Sequence, residues 1–209
     1  MRTCRILENQ PLIWYLDKEH EVAQNVQEET FFTWIAPPTV IYGHHQIQEQ
    51  EMDIDFCNNH GIAMVQRQSG GGCVYADRGN IMLSYITPST HSESVFAAFI
   101  ERVAAALRAM GYPAVSTQHN DILVNGHKVS GSACQALKNA TIVHSTMLYD
   151  VDFDVLQKAI TPTREKLEKH AVQSVRQRVM NLKTIQDMGS TEQFRQALQQ
   201  HIINPEGQI

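Results

Sequence analysis

The chain has 209 residues, 43% of them apolar and 19% charged, which places it among globular proteins able to bury a sizeable core. Its 17 lysines and arginines against 22 aspartates and glutamates leave a net charge of -5, so no global cationic field exists to hold a polyanion, and a general nucleic-acid binder is excluded. No stretch approaches the roughly 20 apolar residues of a membrane span, and residues 1–10 carry no apolar run behind their basic side chains, so the chain reads as soluble and cytoplasmic.

Pro37-Pro38 breaks the chain and restricts Ala36 to extended conformations, ahead of a β-rich run over 39–42. A helix is predicted over 53–60, closed by Gly61, followed by strands over 62–66, 73–75 and 80–87. The clearest helix covers 92–110, where Phe96, Phe99, Ile100, Val103, Leu107 and Met110 recur at helical spacing, with Ser92 as its expected cap and Gly111 and Pro113 as its stop. Strand 122–124 runs into Asn125-Gly126, a hairpin signal because both turn positions accept positive φ, and Lys128-Val129 begin the return. A strand over 141–149 and a helix over 191–202, capped by Ser190, complete the pattern. Clustered strands with helices between some of them give an α+β fold, mixed or antiparallel sheets flanked by helices. The charged segment 163–170 and the last helix are expected to form a cap or small subdomain.

Four dispersed cysteines, Cys4, Cys57, Cys73 and Cys134, show no C-x-x-C pair and read as reduced thiols. No H-E-x-x-H occurs, and His44 and His45 are adjacent, a poor spacing for one helical metal face.

Two segments carry chemistry. In Arg67-Gln68-Ser69-Gly70-Gly71-Gly72-Cys73-Val74-Tyr75, three glycines interrupt two β-like runs, and such a backbone can bring several N–H groups close to a phosphate. Arg67 would add a permanently charged planar donor and Ser69 a short neutral one. An isolated triple glycine is more often a turn, and this one is neither a Walker loop nor G-x-G-x-x-G. The second segment, His119-Asn120-Asp121 through the hairpin to Lys128-Val129-Ser130-Gly131-Ser132-Ala133, sets Lys128 just past a tight turn, where its cation can neutralise a phosphate or an oxyanion. Asp121 offers a hard oxygen ligand for Mg²⁺, though singly these two residues are more often a solvated charge and a strand-end acceptor.

These segments, followed by His144-Ser145-Thr146-Met147-Leu148 and by Ser174-Val175-Arg176-Gln177-Arg178-Val179-Met180-Asn181-Leu182, resemble the lipoate-protein ligase A family in content and order. The resemblance implies an α+β catalytic domain shared with biotin-protein ligases, in which ATP activates the carboxylate of lipoate and the acyl group passes to a carrier lysine. It implies an ATP and lipoyl-adenylate site of Arg67, Ser69, Gly70, Gly71, Gly72, Cys73, Val74, Tyr75, Asn120, Lys128 and His144, with Lys128 catalytic and Asp121 on the metal. Val65, Val74 and Met147 are expected walls for the aliphatic tail. The implied partners are lipoyl domains of 2-oxoacid dehydrogenase E2 subunits and the glycine cleavage H protein. The chain departs from the family pattern at Gly43-His44-His45-Gln46-Ile47 and at His144-Ser145.

The expected division is a catalytic domain over 1–185 and a short helical tail over 186–209. The family's usual accessory domain would then come from a separate protein, or the chain would be a minimal ligase. Two alternatives stay open: a cysteine-dependent octanoyl or lipoyl transferase working through Cys73 or Cys134 without ATP, and an inactive carrier-docking module.

Overall fold

The computed structural model describes residues 1–117, 121–160 and 179–205. Ten strands are described: β1 (Arg2–Thr3), β2 (Thr30–Trp34), β3 (Thr39–Tyr42), β4 (Ala63–Gln66), β5 (Val74–Ala76), β6 (Asn80–Thr87), β7 (Ala114–Ser116), β8 (Ile122–Val124), β9 (His127–Ala136) and β10 (Thr141–Leu148). Six helices accompany them: α1 (Leu12–Gln24), α2 (Gln48–Glu51), α3 (Ile54–Asn59), α4 (Ser92–Ala109), α5 (Phe153–Ala159) and α6 (Thr191–Ile203). The strands form a seven-stranded sheet of order β1-β2-β6-β10-β9-β8-β7 and a three-stranded sheet of order β4-β3-β5. The large sheet is antiparallel except for β1 beside β2, and the small one mixes a parallel β3–β4 pair with an antiparallel β3–β5 pair. The α+β class expected from the sequence is the one observed.

The central strand β6 is buried along its whole length, so it shows a continuous apolar run where a half-exposed strand would alternate. Its odd-numbered residues Ile81, Leu83 and Tyr85 pack under α4 and α6 with Phe99, Val103, Phe194 and Leu198. Its even-numbered residues Met82 and Ile86 face α1 with Tyr15, Trp34 and Ile142. A third cluster under the small sheet joins Val40, Ile62, Tyr75 and Leu148 to α3 and α5. The last helix therefore shares a core with α4. Arg195 ties it down further, donating to the Thr33 carbonyl at 2.8 Å while its other nitrogens hold Glu192 and Glu8.

Local signals set the element ends closely. Ser190 forms a full capping box with Gln193, and Asp53 caps α3 by accepting from Phe56 N at 2.8 Å. Asn125 and Gly126 take φ of 50° and 79°, as a tight hairpin turn requires. The cap of α4 differs from expectation: His91 occupies it with no side-chain bond, and Ser92 is the first helical residue. Helices α1 and α5 and strand β2 had no counterpart in the sequence reading, and the segment 163–170 lies outside the described residues.

Gly79 marks the tightest backbone approach, since a Cβ there would overlap the carbonyl of Asp150, while Gly79 O accepts from Tyr149 N and Asp150 N. Gly79→Ala is expected to cost ~3 kcal/mol because the opposing atoms are the backbone of Asp150 and Val151, which cannot yield as a side-chain tip would. Urea unfolding of the purified variant measures this, and a midpoint equal to that of the parent would refute it.

Candidate functional site

Two cross-strand rows on the α1 side of the large sheet supply Trp34, Met82, Thr146, Gly131, His144 and Ala133 to the floor of a cavity of about 150 Å³. Pairing places Trp34, Met82, Thr146 and Gly131 side by side in one row, and Phe32, Ser84, His144 and Ala133 in the next. Helix α1 covers one part of this face with Leu16, and the glycine segment covers another with Arg67, Gly71, Gly72, Cys73 and Val74. Ile41, Asp121 and Lys128 complete the rim.

The glycine loop is shaped by Arg67. This residue is only 6% exposed, and its guanidinium donates to Gly70 O (2.8 and 3.1 Å), Gly72 O (2.7 Å) and Ile41 O (3.3 Å). Burial lowers its pKa from the usual arginine value, against an opposing pull from Cys73, and the carbonyl dipoles compensate the charge. None of the peptide bonds is cis among the described residues, so turning the carbonyls of Gly70 and Gly72 toward Arg67 turns the N–H groups of Gly71 and Cys73 away from it. Arg67 thus acts on a ligand through the loop it bends. Gly71 has φ of 94°, and a Cβ there would lie 2.9 Å from Arg67 Nη2, so both conformation and space call for glycine.

Lys128 reaches the cavity through a β-bulge. Ile122 pairs with Ser130 and Leu123 with Lys128, so Val129 is the extra residue on β9. Val129 is buried in the core beneath the sheet, and the shift brings Lys128 into phase with Gly131 and Ala133 on the cavity face. Its Nζ lies 2.8 Å from Asp121 Oδ1, so the two charges converge across the hairpin. Met180 N donates to Lys128 O at 3.0 Å and braces the strand's outer side.

A buried polar chain runs beside the cavity, between α1 and the sheet. His144 Nε2 lies 2.7 Å from Ser69 Oγ, and its Nδ1 lies 3.1 Å from Glu19 Oε2. Ser84 donates to the other Glu19 oxygen and accepts from Trp34 Nε1 at 2.9 Å. Glu19 is 2% exposed, a position that a carboxylate tolerates because both oxygens are bonded. The order Ser–His–Glu is that of a nucleophilic triad, but Ser69 is 3% exposed and sits behind the cavity wall. The array anchors the glycine loop to β10 and α1.

The structure thus gathers Arg67, Gly71, Gly72, Cys73, Val74, Asp121, Lys128 and His144 around one cavity. Ser69 and Gly70 lie just behind it as partners of His144 and Arg67. The Tyr75 ring packs in the cluster under the small sheet, and Asn120 lies outside the described residues. Of the expected tail walls, Val74 lines the cavity, whereas Met147 faces the opposite core and Val65 packs beside α1's cluster. Glu19, Leu16, Trp34, Ser84 and Met82 were not anticipated. One signal was available: Leu12, Tyr15, Glu19 and Ala23 form the buried stripe of α1, so an acid sits on an apolar helical phase.

A family description, the lipoyl protein ligase A/B catalytic domain, matches residues 14–203. The chain is 34% identical over 180 residues to the lipoate-protein ligase LplJ of Bacillus subtilis, covering 85% of this chain and 54% of that protein. It therefore spans about half the length of the curated relatives it matches. A bi-partite lipoate protein ligase of Thermoplasma acidophilum, described with its E2 lipoyl domain, superposes with a TM-score of 0.84 at 27% identity, over 97% of this chain and 83% of that one. A lipoate-protein ligase A bound with ATP gives 0.80 at 26% identity, over 98% and 86%.

The two thiols near the cavity are poor nucleophiles. Burial pushes Cys73 up to about 12, with Glu51 adding to the rise and Arg67 opposing it, and burial alone pushes Cys134 up to about 11. At pH 7.5 both stay protonated, so iodoacetamide should modify Cys73 and Cys134 of the folded chain far more slowly than after unfolding in guanidinium. Peptide mass spectrometry reads the ratio, and equal rates in the two states would contradict the burial argument.

Proposed function

The chain belongs to the lipoyl protein ligase A/B catalytic-domain family, and from that membership and the cavity's chemistry we propose that it activates lipoate with ATP and transfers the lipoyl group to a lysine of a carrier domain. The observation that carries this reading is the meeting of Lys128 and Asp121 with the glycine loop around one cavity that also presents an apolar wall. Leu16, Trp34, Ile41, Val74 and Met82 offer a dry wall for an aliphatic chain, and the charged rim receives its carboxylate.

In the first step a carboxylate oxygen of lipoate attacks the α-phosphorus of ATP. The new P–O bond forms as the bond to the β-phosphate oxygen breaks, and pyrophosphate leaves with the electron pair. In the second step the neutral amine of the carrier lysine attacks the acyl carbonyl of lipoyl-AMP, the C–O bond to phosphate breaks, AMP departs, and the amine's proton goes to solvent. Both steps build negative charge at the rim, on phosphate oxygens and then on the carbonyl oxygen. The Lys128 ammonium and the outward N–H groups of Gly71 and Cys73 are fixed before that charge appears.

Mg²⁺ is held through one or two carboxylates with phosphates and water supplying the other ligands. Asp121, the carboxylate on the cavity wall among the described residues, fits that demand. The ion would neutralise charge on the phosphates. Two protonated thiols favour this route over a cysteine thioester.

The proposal extends to partners. The T. acidophilum ligase is described as bi-partite and with an E2 lipoyl domain, which supports E2 lipoyl domains as acceptors here and a separate accessory-domain protein beside this chain. The H protein of glycine cleavage is a second proposed acceptor. No helix among the described residues is long and apolar enough to cross a membrane, and we place the reaction in the cytoplasm.

Incubation of the chain with lipoate and radiolabelled ATP, with and without an accessory-domain protein, should yield lipoyl-AMP before any carrier is added. Lys128→Ala should lower that yield ~10²- to 10³-fold without changing the circular dichroism spectrum. Undiminished lipoyl-AMP formation by a folded Lys128→Ala would overturn the assignment, as would a hydroxylamine-sensitive acyl adduct on Cys73 or Cys134.

A further inference from the structure

Lys128 needs more than the bulge to reach its position, because its side chain lies back along its own strand. A Cβ built on Gly131 would stand 3.3 Å from Lys128 Cε and 3.4 Å from Nζ, inside the ~3.5–4.0 Å of an ordinary carbon contact. The end of the lysine therefore rests over the bare Cα of Gly131. Gly131 is not in the positive-φ region, so its backbone would accept an alanine, and it is the space that calls for glycine. Directly across the pair, Thr146 Oγ1 accepts from Gly131 N at 3.2 Å and donates to Gly131 O at 3.3 Å, which holds this peptide in place. Asp121 takes the ammonium from the other side at 2.8 Å.

The geometry points to Gly131 as a positioning residue for Lys128, with its missing side chain as the seat of the ammonium and Thr146 as the clamp that fixes the seat. This inference rests on the ligase reading for its consequence, and on the placement of Lys128 for its content. The lysine tip is the flexible end of the pair, so alanine at 131 displaces the ammonium and leaves the sheet unstrained. The contact obliges the lysine tip to give by a few tenths of an ångström, and because a full ångström of misplacement costs as much as ~10²-fold in rate, the loss from this smaller shift is expected to be several-fold.

The test compares the parent chain with Gly131→Ala, Thr146→Val and Thr146→Ser. In Gly131→Ala the turnover for lipoyl-AMP formation should fall several-fold, while the thermal midpoint stays near the parent's. Thr146→Val should show a smaller fall of the same kind, and Thr146→Ser, which keeps the hydroxyl, should recover it. A second readout does not depend on activity: acetylation of Lys128 by a water-soluble active ester, followed by peptide mass spectrometry, should quicken in Gly131→Ala as the contact of the amine with Asp121 loosens. If the parent makes no lipoyl-AMP, the ligase reading fails while the labelling still reports the seat. Unchanged labelling of Lys128 in a folded Gly131→Ala would overturn the inference. So would a loss of turnover that tracks a fall in thermal midpoint, because Gly131 would then be a packing residue only.

Discussion

Arg67 is a cation with almost no access to water, and among the described residues every hydrogen-bond partner it has is a backbone carbonyl. A buried charge of that kind is costly unless dipoles replace its hydration. Here the carbonyls of Gly70, Gly72 and Ile41 do so, and the rest of the cavity depends on that exchange. The loop has to curl around the guanidinium, and a curl that tight needs the positive φ of Gly71. Once the carbonyls point inward, planar trans peptides send the N–H groups of Gly71 and Cys73 the other way. One buried cation therefore orients a pair of N–H groups, partial positive charges that point away from it.

Glu19, the buried acid of α1, lies on the same face of the sheet as the cavity. Replacing a buried polar network with apolar side chains is often neutral or favourable for stability alone. The chain from Trp34 through Ser84, Glu19 and His144 to Ser69 is thus better understood by what it positions. It draws on α1, β2, β6, β10 and the glycine loop, and it ends on the loop residue next to Gly70. Arg67 fixes the curvature of that loop, and this chain fixes its distance from the floor.

Much of the fold was legible because its signals are local. The NG turn, the Ser190 capping box and the apolar phase of α4 each rest on a few adjacent residues, and each lies where those residues place it. Helix α1 escaped notice because Glu19 interrupts its buried stripe, and the same residue is the one the cavity needs. For the site, residue types and order pointed to Arg67, the glycines, Lys128 and Asp121, but their roles depend on contacts between distant segments. Arg67 was expected to donate to an anion, and the fold adds that each of its nitrogens also bonds a carbonyl while the side chain lines the cavity. Met147 looked like a tail wall, and strand parity turns it to the other core while Thr146 and Met82 face the cavity.

Parity also decides the fate of Lys128. With regular pairing, alternation along β9 from Gly131 would give the cavity face to Val129 and send Lys128 toward the core. The bulge reverses this, burying the valine and delivering the lysine to the rim beside Asp121. The nearby cysteines meet the opposite environment. Cys73 lies on the cavity wall and Cys134 packs against the core, and burial outweighs even the field of Arg67 in keeping the first thiol protonated. A thioester mechanism would need that balance inverted, with a thiolate at the wetter margin. The proposed adenylate mechanism fits this arrangement: apolar side chains on the cavity wall for the chain being activated, and a cation held at its edge where phosphate and carbonyl charge would develop.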